Sequence, residues 1–277
     1  MNTLFPPFDP EQPERRRKRF QSVPLRFLFP NIVTLVALCA GLTAVRLSIE
    51  GRLDLAIYAI VFAAMLDGID GRIARLLKGT SRFGAELDSL ADFVNFGCAP
   101  GLILYFWGLH ELKTVGWICC LVFTIAMVLR LARFNVSLDA PDQAEWRKNF
   151  GVGVPAPAGA LCALLPIYLS LIGLTPTLPL EALAAVYLVV IAVLMVSRVP
   201  TFLGKKAGLR VRRELVLPLF AGVVLFFALL FSNPFETLTA LVVLYLGSIP
   251  LGYSRYRRLE RQSPAHSPDP ESDTAPE

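Results

Sequence analysis

The sequence predicts an all-α, polytopic membrane bundle of about eight transmembrane helices, and three observations carry that prediction. Hydrophobic residues make up 55% of the 277-residue chain, charged residues only 18%, and the mean hydropathy is +0.56; a soluble globular protein carries about 25% charged residues. Apolar stretches of about 20 residues, the length that crosses a ~30 Å hydrocarbon layer, recur along nearly the whole chain. Lysine and arginine gather on alternate connections between those stretches, as they do in cytoplasmic loops. The net charge of +5 and pI near 9.1 therefore point to membrane orientation and anionic lipid or phosphate, with no nucleic-acid partner expected.

Residues 1–25 are expected to form a disordered basic N-terminal tail, because Met1–Glu14 are rich in proline and acid and lack periodicity. The run Arg15–Arg19 before an apolar stretch could open a signal peptide. The span is too long, no A-x-A-like cleavage site follows it, and more spans come after it. Residues 26–254 are expected to form the membrane domain, and 255–277 a disordered cytoplasmic tail.

Eight apolar segments follow in order: Asn31–Ile49, Leu53–Leu77, Phe83–Leu109, Val115–Val136, Ala158–Leu174, Leu180–Ser197, Glu214–Phe231 and Phe235–Tyr253. Turn residues punctuate them, at Glu50-Gly51, at Pro176 and Pro179, and at Ser232-Asn233-Pro234. With the N-terminus inside, 24 of the 27 basic residues fall on the cytoplasmic side and only Arg46, Arg52 and Lys113 lie outside. That partition supports eight spans, both termini cytoplasmic and a bacterial inner membrane as the location. Cys39, Cys98, Cys119, Cys120 and Cys162 show no metal or redox spacing and read as apolar packing residues. Trp107, Trp117 and Tyr253 near span ends read as interfacial belt residues.

One region breaks the apolar pattern. Asp67, Asp70 and Arg72 to Arg75 close the second segment, and Gly84, Glu86, Asp88 and Asp92 open the third. Ionisable residues at membrane depth are costly, so a cluster of them marks function. Asp67, Asp70 and Ala74 are spaced three and four apart and share a helical face; Gly84, Asp88 and Asp92 share a face of the next helix. A tight turn would bring four carboxylates together, and these repel one another unless cations neutralise them. Oxygen-only ligands select Mg²⁺ or Mn²⁺, and two such ions would clamp a diphosphate. Gly71, Ala74 and Gly84 leave room for a bulky nucleotide. Structural ion pairs with Arg72, Arg75 and Arg82, or a cation pathway, are the competing readings.

The pattern D-x2-D-G-x2-A-R-x8-G-x3-D-x3-D is met at Asp67, Asp70, Gly71, Ala74, Arg75, Gly84, Asp88 and Asp92. It resembles the signature of the CDP-alcohol phosphotransferases. The resemblance implies two divalent ions, Mg²⁺ or Mn²⁺, and displacement of CMP from a CDP-linked lipid by an alcohol. It makes Asp67, Asp70 and Asp88 metal ligands, Asp92 a ligand and the candidate general base, and Gly71, Ala74, Arg75 and Gly84 the lining of the CDP site. The histidines agree by their positions: His110 falls in an outer loop and His266 in the tail, leaving a carboxylate as the base.

Pro30-Asn31-Ile32-Val33-Thr34 resembles the opening of the first span in this superfamily, which puts Asn31 and Thr34 at the nucleotide; an ordinary helix start reads the same way. Three stretches, Arg130 to Asn135, Phe150 to Ala160, and Ser197 to Pro200 with Lys205, resemble the serine-accepting branch, as does the count of eight spans. That resemblance implies CDP-diacylglycerol and L-serine as substrates, membrane lipid as surroundings, and a homodimer. Arg130 and Arg133 could grip the serine carboxylate or snorkel as interfacial anchors; Asn135 is a further polar candidate. The glycines and prolines from Gly151 to Gly159 suggest a broken segment re-entering the membrane or a connecting loop. Arg198 is the candidate contact for the lipid phosphate, while the basic loop Arg198–Arg213 otherwise reads as attraction to anionic headgroups. Another acceptor (inositol phosphate, glycerol phosphate or choline) and a cation transporter are the alternatives.

Overall fold

The computed structural model describes residues 25–76, 81–138, 150–174, 177–197, 200–202 and 213–262. Leu25–Ile49 forms α1 and Leu53–Leu76 forms α2. Their turn closes because Gly51 takes φ +78°, a conformation that strains other residues, and the Arg52 N–H donates to Leu47 O at 2.9 Å. The two helices pack along one another, with small residues buried on each, Ala37 and Ala44 on α1 and Ala56 and Ala63 on α2. In a membrane, where lipid is as apolar as a leucine side chain, such close backbone approach is the main source of helix association.

Ser81 caps α3 (Arg82–Asp92), accepting from the Gly84 N–H at 3.0 Å. The helix then widens into a π-helical stretch, Phe93–Cys98, and resumes as α4, Ala99–Trp107. Pro100 supplies a cause: it has no N–H for the carbonyl four residues back, and the ladder shifts register there, with the Ala99 N–H donating to Val94 O. The wide turn carries Asn95, only 1% exposed, onto Gly41 of α1. A short 3₁₀ turn, Leu109–Leu112, leads to α5, Thr114–Leu138.

The fifth apolar stretch is broken into α6 (Ala156–Ala163) and α7 (Leu165–Ile172), because Pro166 cannot continue the helix ladder across Leu164. Gly173, at φ +124°, ends α7. Then follow α8 (Leu178–Val196), α9 (Arg213–Ser232) and α10 (Pro234–Gln262). The last helix runs past the expected domain end at 254, to Gln262.

The all-α expectation needs one amendment. Phe150–Val152 (β1) pairs antiparallel with Pro200–Phe202 (β2), Gly151 opposite Thr201. The Gly151–Gly159 segment is thus not a plain connecting loop: a strand, a turn and the start of α6 follow one another. At the turn Gly153 has φ +78°, and a Cβ there would stand 2.5 Å from Met195 O.

Among the described residues, four stretches are long and apolar enough to cross a membrane: Leu28–Ile49, Arg82–Trp107, Thr114–Val136 and Leu178–Val196. Ile57, Ile60, Phe96, Ile103, Phe123, Met127 and Leu188 fill the core. Leu35, Phe62, Ile118, Ile125, Val186 and Val193 face outward. A bundle as apolar outside as inside is built for lipid.

Two expectations about single residues change. Trp107 is not an interfacial belt residue: it is 8% exposed and packed in the core, because α4 turns it inward against the bundle. Trp117 is exposed, edge-on to Tyr105 at 5.2 Å. All five cysteines are free, but only Cys120 and Cys162 are buried, and Cys39 lies on the exposed face of α1.

Candidate active site

The last turns of α2 and the first turns of α3 carry the acids, and the fold brings them together. One carboxylate oxygen from each of Asp67, Asp70 and Asp88 lies within 4.8 Å of the other two. Asp70 is buried, at 4% exposed, and accepts a hydrogen bond of 2.7 Å from the Thr34 hydroxyl of α1. Asp92, one turn beyond Asp88, is an electrostatic neighbour of Asp67. The i, i+3 and i, i+4 spacings thus place all four acids on facing helix surfaces.

Among the described residues, no lysine or arginine nitrogen comes within 4.0 Å of any of these four carboxylates. Arg72 and Arg82 are exposed. The side chains of Ala74 and Arg75 fall outside the described residues. Structural ion pairs with Arg72 and Arg82 are therefore not what gathers the acids. Three hard oxygen donors within 4.8 Å, with no bound cation of the chain's own, are a donor set suited to a divalent ion.

The glycines divide into two kinds. A Cβ on Gly68 or Gly71 would meet nothing within 4 Å, so α2 is open beside the acids. A Cβ on Gly84 would stand 2.9 Å from the Asn31 side-chain oxygen and 3.1 Å from Ser81 Oγ. The space left by Gly84 is filled by Asn31, which fastens the start of α1 to the start of α3.

Arg130, Arg133 and Asn135 leave the C-terminal end of α5 in three directions. Arg130 is half-buried, donates from Nε to Val154 O at 3.0 Å, and faces Asp92 and Asp67 as an electrostatic partner. Arg133 is exposed and donates to Val196 O at 2.6 Å, at the carbonyl end of α8. Asn135 donates to Ser89 Oγ at 3.0 Å, next in sequence to Asp88. Arg198 and Lys205 lie outside the described residues, as does His266. His110 sits far along the chain from the acids, in the 3₁₀ turn after α4, with Nδ1 3.1 Å from Tyr105 O.

The residue that sequence reasoning passed over is Asn95. It is a buried amide whose Oδ1 has no hydrogen-bond partner among the described residues and abuts Gly41, one helical turn past Asp92. Its signal was present: a lone asparagine in an apolar run, five residues before a mid-helix proline.

A helical membrane bundle with paired acid-bearing helices and an arginine behind them defines a membrane-embedded carboxylate site. Comparison with known proteins gives the class. The family model described as CDP-alcohol phosphatidyltransferase matches residues 27–197, and a second, CDP-alcohol phosphatidyltransferase 2, matches residues 214–250. The chain belongs to the CDP-alcohol phosphatidyltransferase family, whose members are generally dependent on divalent metal. Within it, the chain is 36% identical to the CDP-diacylglycerol–serine O-phosphatidyltransferase of Mycobacterium leprae, over 84% of this chain and 76% of that protein. It is also 36% identical to the Helicobacter pylori protein of the same name, over 79% of this chain and 88% of that one. A Mycobacterium tuberculosis protein of that name is 47% identical over 48% of this chain and 46% of its own length.

Proposed function

We propose that this protein transfers a phosphatidyl group from CDP-diacylglycerol to the hydroxyl of L-serine, giving phosphatidylserine and CMP. The observation that carries the reading is the convergence of Asp67, Asp70 and Asp88 within 4.8 Å, in a chain whose relatives in two bacterial groups bear that activity in their names.

Asp67, Asp70, Asp88 and Asp92 would hold two Mg²⁺ or Mn²⁺ ions, which supply charge neutralisation for the diphosphate and the departing CMP. The chain's own residues do the rest. Thr34 fixes the orientation of Asp70 through its 2.7 Å hydrogen bond. The open face of α2 at Gly68 and Gly71 admits the cytidine end, with Asn31, Ala74, Arg75 and Gly84 around it. Arg130 pairs with the serine carboxylate, while Arg133 holds the end of α8 and Asn135 holds Ser89 of α3 around that position, and Arg198 meets the lipid phosphate. Asp92 accepts the proton of the serine hydroxyl as its oxygen attacks the lipid-linked β-phosphorus; the bond to CMP breaks in the same displacement. Among the described residues no activated nucleophile stands beside the acids, which supports direct displacement without a phosphatidyl-enzyme.

The basic-residue partition supports eight crossings with both termini and the acid cluster on the cytoplasmic side, and the family resemblance supports a homodimer. The reading is tested by incubating the detergent-purified protein with CDP-diacylglycerol, Mn²⁺ and isotopically labelled serine. Label in a lipid that runs as phosphatidylserine is expected; label that stays water-soluble while another alcohol is incorporated moves the acceptor elsewhere in the family.

A further inference from the structure

We infer that Ser89 and Asn135 act as one positioning unit: their hydrogen bonds fix the rotation of α3 and its register against α5, and with these the aim of the Asp88 and Asp92 carboxylates. The inference rests on the reading of the four acids as a metal site. Three observations lead to it.

The first is the pair itself. Asn135 Nδ2 donates to Ser89 Oγ at 3.0 Å, and the same hydroxyl donates to Asn135 Oδ1 at 3.4 Å. The last turn of α5 is thereby tied to α3 at the residue that directly follows Asp88. Both side chains are half-buried.

The second is where the acids stand around α3. At 3.6 residues per turn, Gly84, Asp88, Asp92 and Ser89 fall at about 0°, 40°, 80° and 140° around that helix. The two acids therefore lie between two ties. On one flank Gly84 fits against Asn31 of α1, where a Cβ would stand 2.9 Å from the asparagine oxygen. On the other, Ser89 is held by α5. Phe83, Glu86 and Leu90 fall between about 200° and 260° and are exposed, so that arc leaves the rotation of α3 to its two flanks.

The third is register. The α3–α4 stretch runs antiparallel to α5. Ser89 stands opposite Asn135. Gly97 stands against Met127, where a Cβ would come 2.9 Å from Met127 Cγ, and Gly101 against Thr124, where it would come 3.3 Å from Oγ1. The step from 89 to 97 thus answers the step from 135 to 127. On that register Asp92 falls opposite Ala132, about 3 Å along the axis from Arg130. The pair that sets the register therefore also brings the arginine level with the candidate base. A metal or catalytic constellation tolerates misplacement of only about 0.5 Å, so a slack α3 would blunt the site without unfolding the bundle.

The test measures Mn²⁺ binding in the absence of substrate, from the electron paramagnetic resonance signal of the free ion. It compares full-length detergent-purified wild type, Ser89→Ala, Asn135→Ala, the double variant, Ser89→Thr and Tyr187→Phe. Alanine is the best helix former, so both helices are kept. Tyr187→Phe removes a 2.8 Å hydrogen bond from α8 to Cys162 O of α6, elsewhere in the bundle. Each single alanine variant should weaken Mn²⁺ binding about fivefold, the scale of one neutral hydrogen bond. The double variant should bind no more weakly than either, because the two residues share one interaction. Ser89→Thr, which keeps the hydroxyl, and Tyr187→Phe should stay within about twofold of wild type. Wild-type Mn²⁺ binding in every variant, or additive losses in the double variant, overturns the inference and leaves the metal site standing. A serine KM raised by Asn135→Ala alone, with Mn²⁺ binding intact, also overturns it and makes Asn135 an acceptor contact. A wild type that binds no Mn²⁺ overturns the metal reading as well.

Discussion

Thr34 on α1 reaches across to α2 and donates its hydroxyl to Asp70 Oδ2 at 2.7 Å, a hydrogen bond that ties the first helix directly to the acid cluster. Thr34 is itself buried, so the bond is shielded from water. Groups of this kind orient a metal ligand without touching the metal, and their removal typically costs about 10–100-fold in affinity. Thr34→Val keeps the shape and removes the donor. The Mn²⁺ concentration giving half-maximal activity should rise by about that factor, with activity recovering at saturating metal. An unchanged midpoint in the titration would separate Thr34 from the site.

Gly84 and Asn31 form the second link between α1 and the site. A Cβ on Gly84 would press on the Asn31 side-chain oxygen at 2.9 Å, an overpacking that costs about 1–3 kcal/mol. Gly84→Ala should lower the melting temperature and activity together. Adding Asn31→Ala should restore much of the stability and less of the activity, because Asn31 is also a candidate nucleotide contact. Additive losses in the double variant would show that the two residues do not share this space.

The two arginines of α5 divide by direction. Arg130 faces the acids, while Arg133 caps the carbonyl end of α8 at Val196. Arg130→Gln should raise the KM for serine by tenfold or more, the scale on which losing a charge-assisted hydrogen bond acts. Arg133→Ala should lower thermal stability and alter the serine and lipid requirements alike. A serine-selective effect at Arg133 instead of Arg130 would reverse this assignment.

Asp92 is the candidate base, and its neighbour Asp67 is a candidate ligand. Asp92→Asn preserves shape and hydrogen bonding while removing the proton acceptor. Turnover should fall about 10²–10⁴-fold, with the protein eluting and melting as wild type does. Near-normal turnover would remove Asp92 from proton transfer.

Much of this arrangement was legible in the sequence because helical spacing is a local rule. Once Asp67, Asp70, Asp88 and Asp92 fall at three- and four-residue intervals near a tight connection, their convergence follows from geometry. Helix likewise falls on the apolar stretches, though among the described residues four are long and apolar enough to cross a membrane and the fifth is broken at Leu164. What was not legible depends on neighbours distant in sequence. Nothing in Phe150–Val152 reveals that it pairs with Pro200–Phe202, since a three-residue strand exists only through its partner. Arg130 and Arg133 look alike in sequence, and only the positions of Val154 and Val196 set them apart. Trp107 stands near a span end, as belt tryptophans do, yet the packing of α4 turns it inward.

The most direct measurement is CMP release by the purified protein with CDP-diacylglycerol, offering serine, inositol phosphate, glycerol phosphate and choline in parallel, with Mn²⁺ or Mg²⁺ and then with excess chelator. The account predicts release with serine alone, abolished by chelation and restored by added metal. Release with a different alcohol, release that survives chelation, or metal-ion movement without CMP would contradict it.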